Sequence, residues 1–194
     1  WAVAHGGTVQ GSTGGTDNGY HAINGDVLWS GDKNCGMAVR FKIDVVTGFT
    51  FELGFTDALS DETQPAVTDI DTPATGNGAT DVAVIHLDTD QTLTTAALVS
   101  ESTGQPYAAK KTNLGTWTPS AGTYYTAIDQ LGTDAAIAKV YDTNTTGAAT
   151  LVASGSHPSA LNGTTLVRPH FLIGTRNTTA KVTDLDFIRV WMDR

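Results

Sequence analysis

Apolar and polar residues alternate with a period of two along most of this chain, the pattern of half-buried β-strands. Val39, Phe41 and Ile43 alternate with Ala38, Arg40 and Lys42. After a break at Thr47-Gly48, Phe49, Phe51, Leu53 and Phe55 alternate with Thr50, Glu52, Gly54 and Thr56. These two segments predict a hairpin, and four large side chains on one face of the second are the strongest core signal. Further strands are predicted over 81–88, 93–100, 123–131, 136–142, 151–153 and 166–174, with Gly132-Thr133-Asp134 as the turn between the third and fourth of them. The chain closes on a strand over 182–193, in which Phe187, Arg189 and Trp191 point one way and Leu185, Ile188 and Val190 the other. Residues 57–80 and 101–121 lack periodicity and read as long loops, the first lying across the surface. No segment sustains a helical period. Roughly ten to twelve short strands with regular turn signals predict an all-β, two-layer antiparallel sandwich.

Composition sharpens that picture. The chain has 194 residues, enough for one domain with a sizeable core. Hydrophobic residues make up 40% and charged residues only 16%, while about one residue in six is threonine, which favours strands over helices. A net charge of −9 and scattered basic residues argue against nucleic acid as a partner. No apolar run is long enough to span a bilayer as a helix, so no membrane partner is expected. Cys35 is the single cysteine, which rules out an intrachain disulfide and reads as a small residue beginning a strand.

Residues 1–34 are rich in Gly, Thr, Asn and Asp and read as an extended N-terminal arm or as the first edge strands, ahead of a sandwich domain over 35–194. The chain begins at Trp1 rather than Met, and residues upstream of it are expected to have been cleaved or left out.

The strand pair Ala38–Ile43 and Phe49–Asp57, the Tyr125–Asp129 strand with Ile137–Tyr141 after it, and the Asp184–Val190 ending together resemble the concanavalin A-like lectin/glucanase jelly roll. The resemblance covers about residues 26 to 193 and implies a jelly-roll β-sandwich. The Thr/Ala/Gly-rich texture of 54–63 and 68–74 also resembles structural proteins of tailed bacteriophages that carry this fold. The chain departs from the glucanases of the family. Their Glu-x-Asp-x-x-Glu strand, which sets nucleophile and acid in one cleft, is missing, and Glu52, Glu62 and Glu101 are isolated. The galectin-type set of His, Arg, Trp and Glu is not recognisable either.

Candidate chemistry is sparse. Aspartates recur in pairs, Asp69 with Asp71, Asp88 with Asp90 and Asp184 with Asp186. Asp57, Asp69 and Asp71, flanking the long loop, are the candidates for a Ca²⁺ site, against the alternative that such residues cap turns. No other cofactor is expected. The five histidines lack metal-ligand spacing, and His86 reads as a satisfied or surface side chain. No nucleophile elbow or phosphate-binding loop is present. Tyr107, Trp117, Tyr124 and Tyr125 are candidates for stacking on a sugar, Trp117 first, with a plug over one end of the core as the competing role. Trp1 and Trp29 are candidates for anchoring a neighbouring subunit.

The function expected from these residues and resemblances is non-enzymatic: a bacteriophage virion structural protein, a capsid decoration or head or tail appendage. It would assemble in the bacterial cytoplasm and dock on other virion proteins and on itself as a homo-oligomer. The alternative is a carbohydrate-binding, lectin-like module.

Overall fold

The computed structural model describes residues 2–3, 8–58, 65–69, 74–75, 79–91, 95–101, 111–132, 135–143, 148–158 and 165–193. Among the described residues sixteen strands follow one another: β1 (Ala2–Val3), β2 (Val9–Ser12), β3 (Tyr20–Asn24), β4 (Trp29–Ser30), β5 (Gly36–Ile43), β6 (Phe49–Thr56), β7 (Val67–Asp69), β8 (Ala74–Thr75), β9 (Val82–Asp88) and β10 (Ala97–Glu101), then β11 (Lys111–Asn113), β12 (Tyr124–Leu131), β13 (Ala135–Asp142), β14 (Thr150–Pro158), β15 (Leu166–Thr175) and β16 (Val182–Trp191). A 3₁₀ turn, Gly31–Lys33, precedes β5.

Two antiparallel sheets make a jelly-roll sandwich. The first runs β1-β2-β16-β5-β12-β13-β14, and the second runs β11-β10-β9-β6-β15-β3 with β4 also on β15. Strands β1–β4 therefore contribute edge strands to both layers. A small ribbon, β7-β8, lies in the segment read as a loop.

The predicted hairpin between β5 and β6 does not form. Strand β5 pairs with β16 and β12, whereas β6 pairs with β9 and β15, so the chain changes layer at Thr47-Gly48. Both strands carry a fully apolar face, and facing each other across the core buries both at once, which edge-to-edge pairing would not. Met37, Val39, Phe41 and Ile43 thus meet Phe49, Phe51, Leu53 and Phe55. Phe41 and Phe51 stack at 5.0 Å, with Phe171 against both at 5.9 and 6.0 Å. Each such ring contributes about 2–3 kcal/mol by leaving water.

The two sheets differ on their outer faces. Strands β6 and β9 are buried on both sides. The chain between them lays Ala58, Ala66, Val67 and Ala79 over Val82, Val84, Ala97 and Val99, and the small side chains let the crossing segment come close. The first sheet keeps the strict buried–open alternation of a one-sided sheet, clearest in β12 and β13. Strand β16 carries a β-bulge between Leu185 and Phe187. That extra residue is why Leu185, Ile188 and Val190 share the inner face although their numbers differ in parity, and why Phe187, Arg189 and Trp191 share the outer one.

Candidate ligand-binding face

The outer face of the first sheet, β1-β2-β16-β5-β12-β13-β14 (the seven-stranded sheet, the second having six strands in line and β4 off its path), is the broad sheet surface open to solvent among the described residues. Register aligns its side chains in rows across the strands. One row runs Gln10, Asp184, Lys42, Tyr124; the next runs Phe187, Arg40, Thr126, Tyr141, Leu151. A third runs Arg189, Ala38, Ile128, Lys139, Ser154, and a fourth Trp191, Gly36, Gln130, Ile137, Ser156.

Tyr124 lies at the centre of a polar group on this face. The Arg40 guanidinium lies 4.3 Å and the Lys42 amine 5.0 Å from its ring centroid, both in cation–π range. Arg40 is held by Asp186 at 2.5 Å and donates to the Thr143 hydroxyl and carbonyl at 3.3 and 3.1 Å. Lys42 pairs with Asp184 at 2.6 Å, and Asp184 also accepts from the Gln10 amide at 2.8 Å. The hydrogen bond it donates to Asp184 holds the Lys42 amine above its ordinary pKa. Partial burial pushes the Asp184 carboxyl up, but its bonds from Lys42 and Gln10 outweigh that and hold it below the usual range. At the other end of the face Trp191 lies flat over Gly36, where any side chain would fall inside the indole, and the Arg189 guanidinium sits 5.9 Å from the ring. Phe187, Ile137 and Leu151 add exposed apolar surface. Chemically, the face offers aromatic and aliphatic patches to the C–H faces of sugar rings, beside charged donors and acceptors fixed in place by their neighbours.

The second sheet carries its polar cluster out of reach of solvent. Glu52 is fully buried on the outer side of β6. One carboxylate oxygen accepts from His86 Nδ1 at 3.1 Å and the Val67 amide at 2.8 Å; the other accepts from His170 Nε2 at 2.9 Å and the Ala66 amide at 2.8 Å. His170 Nδ1 continues the chain to Asn24 Oδ1 at 2.6 Å. Burial alone would raise the Glu52 pKa, but the hydrogen bonds from His170 and His86, helped by their charge, hold it at about 2. Glu52 is therefore an ionised clamp that ties the crossing segment to the sheet. Read one residue at a time, the sequence shows an isolated glutamate and dispersed histidines. The available signal is that Glu52, His86 and His170 all fall on the outward positions of strands whose other face is apolar.

The residues singled out from the sequence are dispersed. Trp117 and Tyr125 lie in the core, 8% and 5% exposed, edge to face at 5.4 Å, with the Tyr125 hydroxyl accepting from the Ser120 amide; Trp117 is thus a plug over the core. Tyr124 points the opposite way, onto the open face. Trp29 is half-buried against the core beside Val167. The Asp57 carboxylate accepts from the Thr80 amide and hydroxyl at 2.8 and 2.6 Å and from the Asp81 amide at 3.0 Å, so it clasps the two ends of the crossing segment. Asp69 contributes its backbone to β7. Trp1, Asp71 and Tyr107, and the Asp69 side chain, lie outside the described residues. Of the paired aspartates, Asp88 accepts from two N–H groups of Arg176 at one carboxylate oxygen, and the guanidinium also donates to Asn18 and the Tyr20 hydroxyl.

No family model matches the chain, and no curated protein matches it. Solved structures do. A legume lectin-like domain from Entamoeba histolytica superimposes with a TM-score of 0.59 at 6% identity, covering 94% of this chain and 82% of that one. Peanut lectin gives 0.58 at 12% identity over 97% and 87%. An alginate lyase of polysaccharide lyase family-7 gives 0.54 at 10% identity over 99% and 82%. At such identities the likeness establishes the fold, a concanavalin A-like jelly roll common to lectins and carbohydrate-active enzymes.

Proposed function

We propose that this chain is a carbohydrate-binding module without catalytic activity, and that its ligand lies on the open face of the seven-stranded sheet. The observation that carries the reading is Tyr124, set on that face between Arg40 and Lys42, with both cations fixed by Asp186 and Asp184. An aromatic ring flanked by oriented donors is what a sugar needs: apolar contact for its C–H face and hydrogen bonds for its hydroxyls. Two of the three structural neighbours above are lectins or lectin-like, which supports the reading at the level of the fold alone. The absence of catalysis is supported by the state of the carboxylates. Asp184 and Asp186 are held in ion pairs, and Glu52 is ionised and buried under the crossing segment, so these three carboxylates are engaged within the protein. The virion role and the homo-oligomer expected from the sequence gain no support from the neighbours named above, and they are the weaker reading.

A glycan array, run with calcium and with EDTA, tests the proposal. Specific hits that fall about tenfold or more in Tyr124→Ala are expected. Hits that survive unchanged in that variant would move the site off this face, and a blank array for the folded protein would overturn the reading.

A further inference from the structure

The charge on the open face runs against the charge of the chain. Acidic residues outnumber basic ones 20 to 11 over the whole sequence. On the outward positions of the seven-stranded sheet the balance reverses: Arg40, Lys42, Lys139 and Arg189 face two carboxylates, Asp184 and Asp186. Those two carboxylates are already engaged by Lys42 and Arg40. Among the described residues, Lys139 and Arg189 have no carboxylate in ion-pair range; Lys139 is exposed, and the Arg189 guanidinium lies 5.9 Å from the Trp191 ring centroid.

Register places these two free cations in one row. Arg189 pairs with Ala38, Ala38 with Ile128, and Ile128 with Lys139, so three strand spacings, about 14 Å, separate them along a line crossing the sheet. The floor between them, Ala38 and Ile128, is apolar and uncharged, and Thr126 and Gln130 stand to either side of Ile128 on the same strand face. The span exceeds one pyranose, so a glycan lying along the row passes a guanidinium at one end and an ammonium at the other. Around this row the protein is net acidic and repels polyanions. Two uncompensated cations on the one open sheet face are therefore a local exception, and at moderate salt their attraction acts over about 10 Å.

We propose that the ligand of this face is an anionic glycan, one whose carboxylate or sulfate groups pair with Arg189 and Lys139. The proposal rests on the carbohydrate reading above and goes further by naming the class of sugar. Arg189 suits the task because a guanidinium binds a carboxylate or sulfate through two parallel hydrogen bonds, while Lys139 acts as a point charge.

The test is an array carrying uronate, sialylated and sulfated glycans beside neutral glycans of the same backbones, with a single-stranded oligonucleotide as a polyanion of another class. Binding confined to the acidic members is expected. It should weaken at least about fivefold in the Lys139→Gln/Arg189→Gln double variant, and comparably when NaCl is raised from about 0.05 to about 0.5 M. Both substitutions are at the surface, and an unchanged melting temperature shows that the variant is folded. Equal binding to the neutral counterparts, or no loss in the double variant, overturns this inference and leaves the carbohydrate reading standing. Equal binding to the oligonucleotide reduces the effect to unspecific attraction and also overturns it. A blank array takes both readings down together.

Discussion

Asp129 occupies a position where strand alternation asks for an apolar side chain. It is fully buried on the inner face of β12, and its oxygens find no well-formed hydrogen bond. Burial pushes its pKa well above the usual carboxylate range, with the Gln130 backbone amide only partly opposing. The acid is thus kept neutral in the fold but ionises freely in the unfolded chain near pH ~4. Its contribution to stability is complete below that pH and is lost progressively as pH rises toward the folded value. Asp129→Asn, which keeps the shape and cannot ionise, is expected to be more stable than the parent at pH 7 by about 1–3 kcal/mol and to flatten the pH dependence. Urea unfolding at pH 4 and pH 7 reads both effects, and an unchanged slope would show that Asp129 is not the cause. Gly54 faces this carboxyl across the core with φ +150°, and a methyl there would meet Asp129 Oδ2 at 2.6 Å and the backbone of β9. Gly54→Ala combines backbone strain with overpacking and is expected to cost about 3 kcal/mol in the same experiment.

At the scale of elements, the bulge in β16 makes an unusual prediction. Removing one residue from a paired strand normally turns every later side chain to the other face. Deleting Asp186 instead removes the surplus residue, so Leu185, Ile188 and Val190 stay inward and Phe187, Arg189 and Trp191 stay outward. The deletion is expected to fold, losing about 1 kcal/mol with the Arg40 ion pair, whereas deleting Arg189 should turn Val190 and Trp191 around and yield insoluble protein. Soluble expression and thermal melting of the two deletions decide the matter. The Glu52 clamp governs the crossing segment in a similar all-or-none way. Replacing the carboxylate by an amide in Glu52→Gln leaves at least one donor among Ala66, Val67, His86 and His170 unpaired and buried, at an expected cost of about 2–4 kcal/mol. Because the Glu52 pKa is depressed to about 2, its stabilisation is complete above the unfolded value near ~4.3 and fades as pH falls toward 2. The parent should therefore lose stability between those pH values and the variant much less, measured by denaturant midpoints.

For the molecule as a whole, Cys35 offers a direct readout of opening. It sits fully buried where the 3₁₀ turn feeds β5, its thiol donating to the Ser30 carbonyl at 2.8 Å, and burial pushes its pKa up to about 11. A thiol reagent is expected to leave the native protein unlabelled at pH 8 and to react with one equivalent in denaturant, at a rate that follows global unfolding. Rapid labelling without denaturant would mean that the two layers separate locally at this end.

The period-two alternation was enough to specify an all-β sandwich, because burying one face of each strand leaves an imprint residue by residue. It also assigned the inner and outer side chains of β5, β6 and β16 correctly, in β16 with Leu185 on the inner face and Phe187 on the outer one although both numbers are odd. Which strand pairs with which left no such imprint. Strands β5 and β6 read as a hairpin from their proximity, yet they face each other across the core, since alternation reports the buried face and not the neighbour at the edge. Alternation does separate Tyr124 from Tyr125: adjacent on one strand, they cannot both stack on a ligand at one face, and Tyr124 lies on the open face while Tyr125 lies in the core with Trp117. Its blindness to pairing hid the Glu52 cluster, assembled from β6, β9, β15 and the crossing segment, and it hid the row that lines Arg189 up with Lys139 across β5 and β12. Face is a local property of a strand and is written in its sequence; register, layer and charge alignment arise between strands far apart in the chain, so only the tertiary structure decided them.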